Sequence, residues 1–220
     1  INANFRFLRN FLRYYKVKKI DGVLADLGIS SHQIDIPERG FSFMKDAALD
    51  MRMNIGCSLS AAEVINDYNE KDLLRLFREY GELPNSKAIV SRIMVMRESG
   101  KIERTLELVE GLSSLLPRPN KNKVLAQIFQ ALRIEVNGEL DALKDLLKQL
   151  PEVLNVGGRI VFLTYHSIED RMVKNFLKSG NVEGELNKDF YGNISVPFKL
   201  INKNGLVASD EVLVPIQCEY

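Results

Sequence analysis

Two short stretches concentrate the side chains that could do chemistry. The first, Asp26-Leu27-Gly28-Ile29-Ser30-Ser31-His32-Gln33, sets a carboxylate, two hydroxyls, an imidazole and an amide close together. The second, His166-Ser167-Ile168-Glu169-Asp170-Arg171, holds the other of the chain's 2 histidines. A carboxylate accepts hydrogen bonds from a ligand amine, and the Gln33 amide offers both donor and acceptor. Imidazoles serve as acid, base or phosphate contact near neutral pH. These are binding groups first, and alone they fix no reaction. No cysteine or carboxylate stands at ligand spacing around either histidine, so no metal site is expected. Ser167 lacks the G-x-S-x-G elbow of a nucleophilic serine. It reads instead as a helix N-cap, with Asp170 completing a box-like start.

Both stretches follow apolar runs. Residues 20–26 and 160–165 each read as a buried parallel strand, the second after the tight turn Asn155-Val156-Gly157-Gly158-Arg159. In open α/β sheets the ligand crevice lies just beyond the carboxyl ends of such strands. Asp26, His32 and His166 all fall there, although an Asp in that position also serves as a cap. A helix over residues 167–178 follows the second strand.

The remaining chain reads as mostly helical. Residues 4–15 form an amphipathic helix with Phe5, Leu8, Leu12 and Tyr15 on one stripe and Arg6, Arg9, Arg13 and Lys16 on the next. That basic stripe is either a solvated face or a phosphate-facing one. Residues 30–54 show little periodicity, but their interspersed Phe and Met point to an ordered loop covering a site. Helices follow within residues 60–116, the first opened by the Ser60/Glu63 capping box. Leu73, Leu74, Leu76, Phe77 and Tyr80 give a stripe that Gly81 and Pro84 end. Residues 117–123 form a basic, Pro-broken linker. Two more helices, 124–137 and 139–153, meet at Gly138, and residues 196–201 form a weak strand.

Composition narrows the class. The chain has 220 residues, 45% hydrophobic and 27% charged, with a formal net charge of +1. These are ordinary globular values, and no apolar run reaches the ~20 residues of a membrane span. Near-neutral charge announces no nucleic-acid partner, so that case rests on local patches. The 2 cysteines, Cys57 and Cys218, form no CxxC pattern. Neither a disulfide framework nor a cysteine zinc site is expected, which fits a reducing cytoplasm. The chain starts with Ile1, and no G-x-G-x-x-G cluster occurs. Two strands do not make a doubly wound sheet, so the sequence reads as the second half of an α/β domain.

Six ordered blocks then carry a resemblance. They are Asp21-Gly22-Val23-Leu24-Ala25-Asp26-Leu27-Gly28-Ile29-Ser30-Ser31-His32-Gln33; Pro37-Glu38-Arg39-Gly40-Phe41-Ser42-Phe43; Leu49-Asp50-Met51-Arg52-Met53-Asn54; Phe77-Arg78-Glu79-Tyr80-Gly81-Glu82; Phe129-Gln130-Ala131-Leu132-Arg133-Ile134; and His166-Ser167-Ile168-Glu169-Asp170-Arg171. Over residues 4–201 the chain resembles the RsmH/MraW family of 16S rRNA (cytosine-N4)-methyltransferases. The resemblance implies an α/β, class I (Rossmann-like) fold that uses S-adenosyl-L-methionine (SAM), with its sheet incomplete at the N-terminus. Residues 1–57 and 124–220 would form the methyltransferase α/β domain. Residues 58–123 would form an inserted helical subdomain for RNA recognition.

The same resemblance implies site roles. Phe5 would lie near the SAM adenine, and Asp26 and Gln33 near the transferable group. Asp26, or a backbone carbonyl of residues 27–31, is the expected acceptor for the target amine. His32 and His166 are expected to contact base or phosphate. Arg6, Arg9, Arg13, Arg118, Lys121 and Lys123 are the expected RNA-backbone contacts. The partner would be 16S rRNA in the small ribosomal subunit, in the cytoplasm and without membrane; a homodimer is one open assembly. Two departures stand out. The family's glycine-rich SAM loop and ribose-binding acid would precede Ile1, and residues 212–220 diverge from its basic C-terminal motif. Weak or absent SAM binding by this chain alone is therefore expected, with a non-catalytic RNA-binding fragment as the alternative.

Overall fold

Pairing across the chain builds the sheet. In the computed structural model, which describes residues 1, 3–186, 191 and 196–201, strand β1 (Ile20–Asp26) lies parallel to strand β2 (Leu154–Leu163). Gly22 pairs with Arg159 and Asp26 with Leu163, with a break in register between Ile20 and Gly22. Leu154 and Arg159 are both held in the ladder, and residues 155–158 loop out between them, with Gly157 at φ 86°, so the tight turn read from the sequence lies within β2 as a bulge. Among the described residues these two strands are the whole sheet. Its pleat alternates. Val23 and Ala25 are half-buried, whereas Leu24, Val161 and Leu163 stand exposed. The expectation of strands buried on both faces is therefore corrected, because burial on both sides requires elements packed on each.

Ahead of β1, Phe5–Phe7 form a 3-10 turn that runs into α1 (Leu8–Tyr14). This segment is pinned to a later helix, as described below. Beyond β1 come α2 (Ser31–Asp35) and a 3-10 turn, Pro37–Arg39, so the expected irregular loop is partly helical. Gly40 closes that turn at φ 71°. The loop that follows is ordered because it is half of a core. Phe41, Leu49 and Met51 are buried against Val64, Leu76, Phe77, Ile93 and Ile128. Each such side chain contributes about 1.5–3 kcal/mol on burial.

The helical body comprises α3 (Ala61–Asp67), α4 (Glu70–Glu79), α5 (Ser86–Ser99), α6 (Thr105–Leu112) and α7 (Lys121–Asn137). The Ser60/Glu63 box forms as read, with Ser60 N–H donating to Glu63 and Glu63 N–H to Ser60 Oγ. Arg97 reaches from α5 to donate to the carbonyls of Ile65 and Tyr68, satisfying the end of α3. The core spans Phe41 to Val136, so it draws on residues outside 58–123 on both sides. Residues 117–123 are not a linker throughout. Arg118–Asn120 form a 3-10 turn, and α7 already starts at Lys121. Gly138, at φ 56°, separates α7 from α8 (Glu139–Val153). Helix α9 (Ser167–Ser179) follows β2.

Contacts divide the chain into two units, residues 1–169 and 170–220. In the second, Phe176 and Phe198 rings meet at 5.9 Å, and residues 196–201 are irregular rather than a strand. Cys57 is a free, exposed thiol. Cys218 and the divergent residues 212–220 lie outside the described residues. Among the described residues no helix is long and apolar enough to cross a membrane.

Candidate functional site

Asp26 ends β1 with its side chain exposed. The β1–β2 register brings Tyr165, two residues beyond β2, alongside it. The Tyr165 hydroxyl donates to Asp26 Oδ1 at 2.9 Å. That bond holds the Tyr165 phenol above its ordinary pKa, because ionising it would set two negative charges together. Asp26 Oδ2 accepts no bond from any described residue. Gly28, at φ 89°, lies beneath the tyrosine, and a Cβ built there would sit 3.4 Å from Tyr165 Cδ2.

The polar stretch after β1 folds onto itself. Gln33 Oε1 accepts from Ser30 N–H at 3.0 Å, which starts α2. One end of the Gln33 amide is thus fixed, and its nitrogen is free to donate. His32, on α2, is exposed.

His166 is different. Its side chain is 8% exposed, and its Nδ1 accepts from Glu169 N–H at 3.4 Å. Nε2 lies 3.2 Å from Glu169 Oε1 without an aligned hydrogen bond. The imidazole presents little surface to an RNA, unlike the exposed group expected for a direct base or phosphate contact. It belongs to a buried network instead. Glu169 Oε2 accepts Tyr165 N–H at 3.3 Å, and Arg133 grips both oxygens of Glu139 at 2.8 and 2.9 Å. Burial pushes the Glu139 carboxyl up, with Arg133 opposing the shift. Ser167, read as a cap, donates its hydroxyl to Glu82.

Glu139, His166 and Glu169 place one potential ligand atom each within 4.8 Å of one another. Their chemistry does not suit a cation. Both Glu139 oxygens already serve Arg133, whose charge would repel a metal. The trio forms part of a buried polar cluster behind the end of β2, in which Glu169 accepts Tyr165 N–H and Arg133 holds Glu139.

Phe5 is 42% exposed. It borders a cavity of about 50 Å³ together with Leu27, Gly28, Met53 and Glu139. Of the basic residues, Arg6 and Arg9 are engaged with α8. Arg6 Nε donates to Asp145 at 3.0 Å and Arg9 Nη1 to Glu152 at 2.6 Å, while Gln149 bridges their backbones. Arg6 and Arg9, two of the expected RNA-backbone contacts, thus have acidic partners on α8. Arg13, Arg118 and Lys123 are exposed, Lys121 is half-buried, and none of the four pairs with a described acid.

Comparison with known proteins decides the family. The model of the MraW methylase family matches residues 1–214, beyond the 201 expected from the motifs. This chain belongs to the MraW methylase family. A relative from Flavobacterium johnsoniae is 52% identical over 216 residues, covering 98% of this chain and 71% of that protein. Relatives from Flavobacterium psychrophilum and Bacteroides thetaiotaomicron are 51% and 50% identical, over 97% and 96% of this chain and 74% and 69% of their own lengths. All three bear the name ribosomal RNA small subunit methyltransferase H. Membership of the MraW methylase family makes the chain a methyltransferase sequence. Sequence reasoning located Asp26 and Gln33 but passed over Tyr165, Glu139 and Arg133. Position at a strand end was the one signal available for Tyr165.

Proposed function

We propose that this chain methylates small-subunit ribosomal RNA, using SAM, at the exocyclic N4 of a cytidine. The observation that carries the reading is that proteins half identical to nearly all of this chain share a ribosomal RNA small subunit methyltransferase name. Those enzyme names disfavour the alternative of a non-catalytic RNA-binding module. The substrate class also implies a cytoplasmic site of action.

SAM, when bound, supplies an electrophilic methyl group on a sulfonium. The residues present fit part of it. Phe5 offers a half-open ring, Gln33 an amide nitrogen, and Gly28 a loop without a side chain at the strand end. A cytosine exocyclic amine is a poor nucleophile because its lone pair is delocalised into the ring. Asp26 Oδ2 accepts a hydrogen bond from N4–H, which orients the amine and returns electron density to nitrogen. His166 and Glu169 act behind the site by fixing Tyr165. Arg13, Arg118, Lys121 and Lys123 contact RNA phosphates, and His32 stands exposed on α2.

Asp26→Asn should lower methyl transfer to small subunits at least ~100-fold, as loss of an essential acceptor does. Near-normal turnover with unchanged SAM affinity would remove Asp26 from the mechanism.

A further inference from the structure

We propose that Tyr165 is a substrate-positioning residue, its hydroxyl fixing the Asp26 carboxylate and its ring forming the platform on which the target base stacks. The inference rests on the methyl-transfer reading and adds to it a residue that the sequence left as a strand end.

Three observations carry it. First, the hydroxyl donates to Asp26 Oδ1 at 2.9 Å, across the ends of neighbouring strands. A carboxylate on an exposed strand end otherwise turns freely about its terminal torsion. Anchored at Oδ1, Asp26 keeps Oδ2 unoccupied by any described residue and fixed in direction. Second, the ring is held from below. Gly28 leaves room for it, with the Cβ position 3.4 Å from Cδ2 and a φ of 89° that a side chain would strain. Glu169, 3% exposed, accepts the Tyr165 backbone N–H from within. Third, the side chain remains 68% exposed despite these restraints. An aromatic ring held in place yet open to solvent is a stacking surface. Single-stranded bases, once splayed out, are held on such rings.

The two roles separate by chemistry. Stacking needs the ring, whereas alignment of the amine needs the hydroxyl. The test compares wild type, Tyr165→Phe and Tyr165→Leu in steady-state transfer of labelled methyl from SAM to unmodified small ribosomal subunits. Melting temperatures of all three proteins serve as the fold check. Tyr165→Phe should keep the KM for the ribosomal substrate within about twofold and lower kcat about tenfold, since it removes an interaction that matters in the transition state. Tyr165→Leu should in addition raise that KM roughly ten- to hundredfold, the worth of one stacked base. Wild-type kcat in Tyr165→Phe would overturn the anchoring role. Wild-type KM in Tyr165→Leu would overturn the platform. If Tyr165→Leu melts several degrees early, Tyr165→Trp replaces it: retained KM supports the platform, and KM raised as far as in the leucine variant overturns it. Wild-type protein that transfers no methyl rejects the methyl-transfer reading and this inference together. Active wild type with unaltered variants rejects Tyr165 alone.

Discussion

Gly40 shows how little freedom a single position can have. It closes the Pro37–Arg39 turn in the left-handed region, and a Cβ there would meet the carbonyl oxygen of Ala48 and, at 2.9 Å, the amide nitrogen of Asp50. Gly40→Ala should therefore destabilise the fold by about 2 kcal/mol or more, combining backbone strain with a clash that neither backbone segment can relieve cheaply. Urea denaturation with an unchanged midpoint would contradict this. The turn was legible from Pro37-Glu38-Arg39-Gly40, but the tight approach of residues 48–50 was not, since it is set by the burial of Leu49 and Met51. The histidines teach the same lesson. His32 and His166 occupy equivalent places in sequence, each just past a strand. One is exposed and the other buried, because what packs over a side chain is decided by distant residues. Likewise Asp26 could be placed at a strand end, while its bond to Tyr165 depends on a register joining positions 139 apart.

Among elements, the loop over residues 41–54 depends on one internal ion pair. Asp50 Oδ1 accepts from Arg52 N–H and Nε, and Oδ2 from Nη2 at 2.7 Å, while Arg52 Nη1 donates to the carbonyls of Ile55 and Cys57. The Arg52 side chain holds the Asp50 carboxyl below its ordinary value, against the opposing effect of burial. A carboxylate depressed by folding contributes stability above its unfolded pKa of about 4, and that contribution is lost as pH falls through the folded value. Asp50→Asn should cost about 1–3 kcal/mol at pH 7, with the gap to wild type closing below pH ~4. Denaturant titrations at pH 7 and pH 3 check the sign, and a gap that widens in acid would refute it. Sequence patterns located most helices because caps and stripes are local, as at Ser60 and Glu63. They placed the start of α7 at Val124 rather than Lys121, since Pro119 looks like a break yet, in the opening of the Arg118–Asn120 3-10 turn that leads into α7, needs no N–H partner. The exposed face of the sheet was also illegible, because a run of Val, Leu and Ala looks the same whether covered on one side or two.

At the scale of the whole molecule, a net charge of +1 hides an uneven distribution of cations. Four of the six basic groups singled out lack an acidic partner among the described residues, while Arg6 and Arg9 tie the N-terminal segment to α8. Replacing Arg13, Arg118, Lys121 and Lys123 with Gln should weaken RNA binding and flatten its salt dependence by about 0.7 per lost single-strand contact in the log–log slope. Replacing Arg6 and Arg9 should leave that slope alone and cost about 1 kcal/mol or less per pair in stability. Equal slopes for wild type and the fourfold variant would reject the assignment. The β1–β2 pairing has a consequence in time. The helical body is built largely from contacts between neighbouring elements, whereas Ile20 meets Leu154 only by closing a long stretch of chain. Contacts of long sequence separation are slow to form, since their entropy is lost before they are made. Helices therefore assemble early, and during synthesis they exist before there is a second strand for Ile20–Asp26 to join. On this ordering the Asp26–Tyr165 hydrogen bond, which joins side chains 139 positions apart, forms after the helices around it.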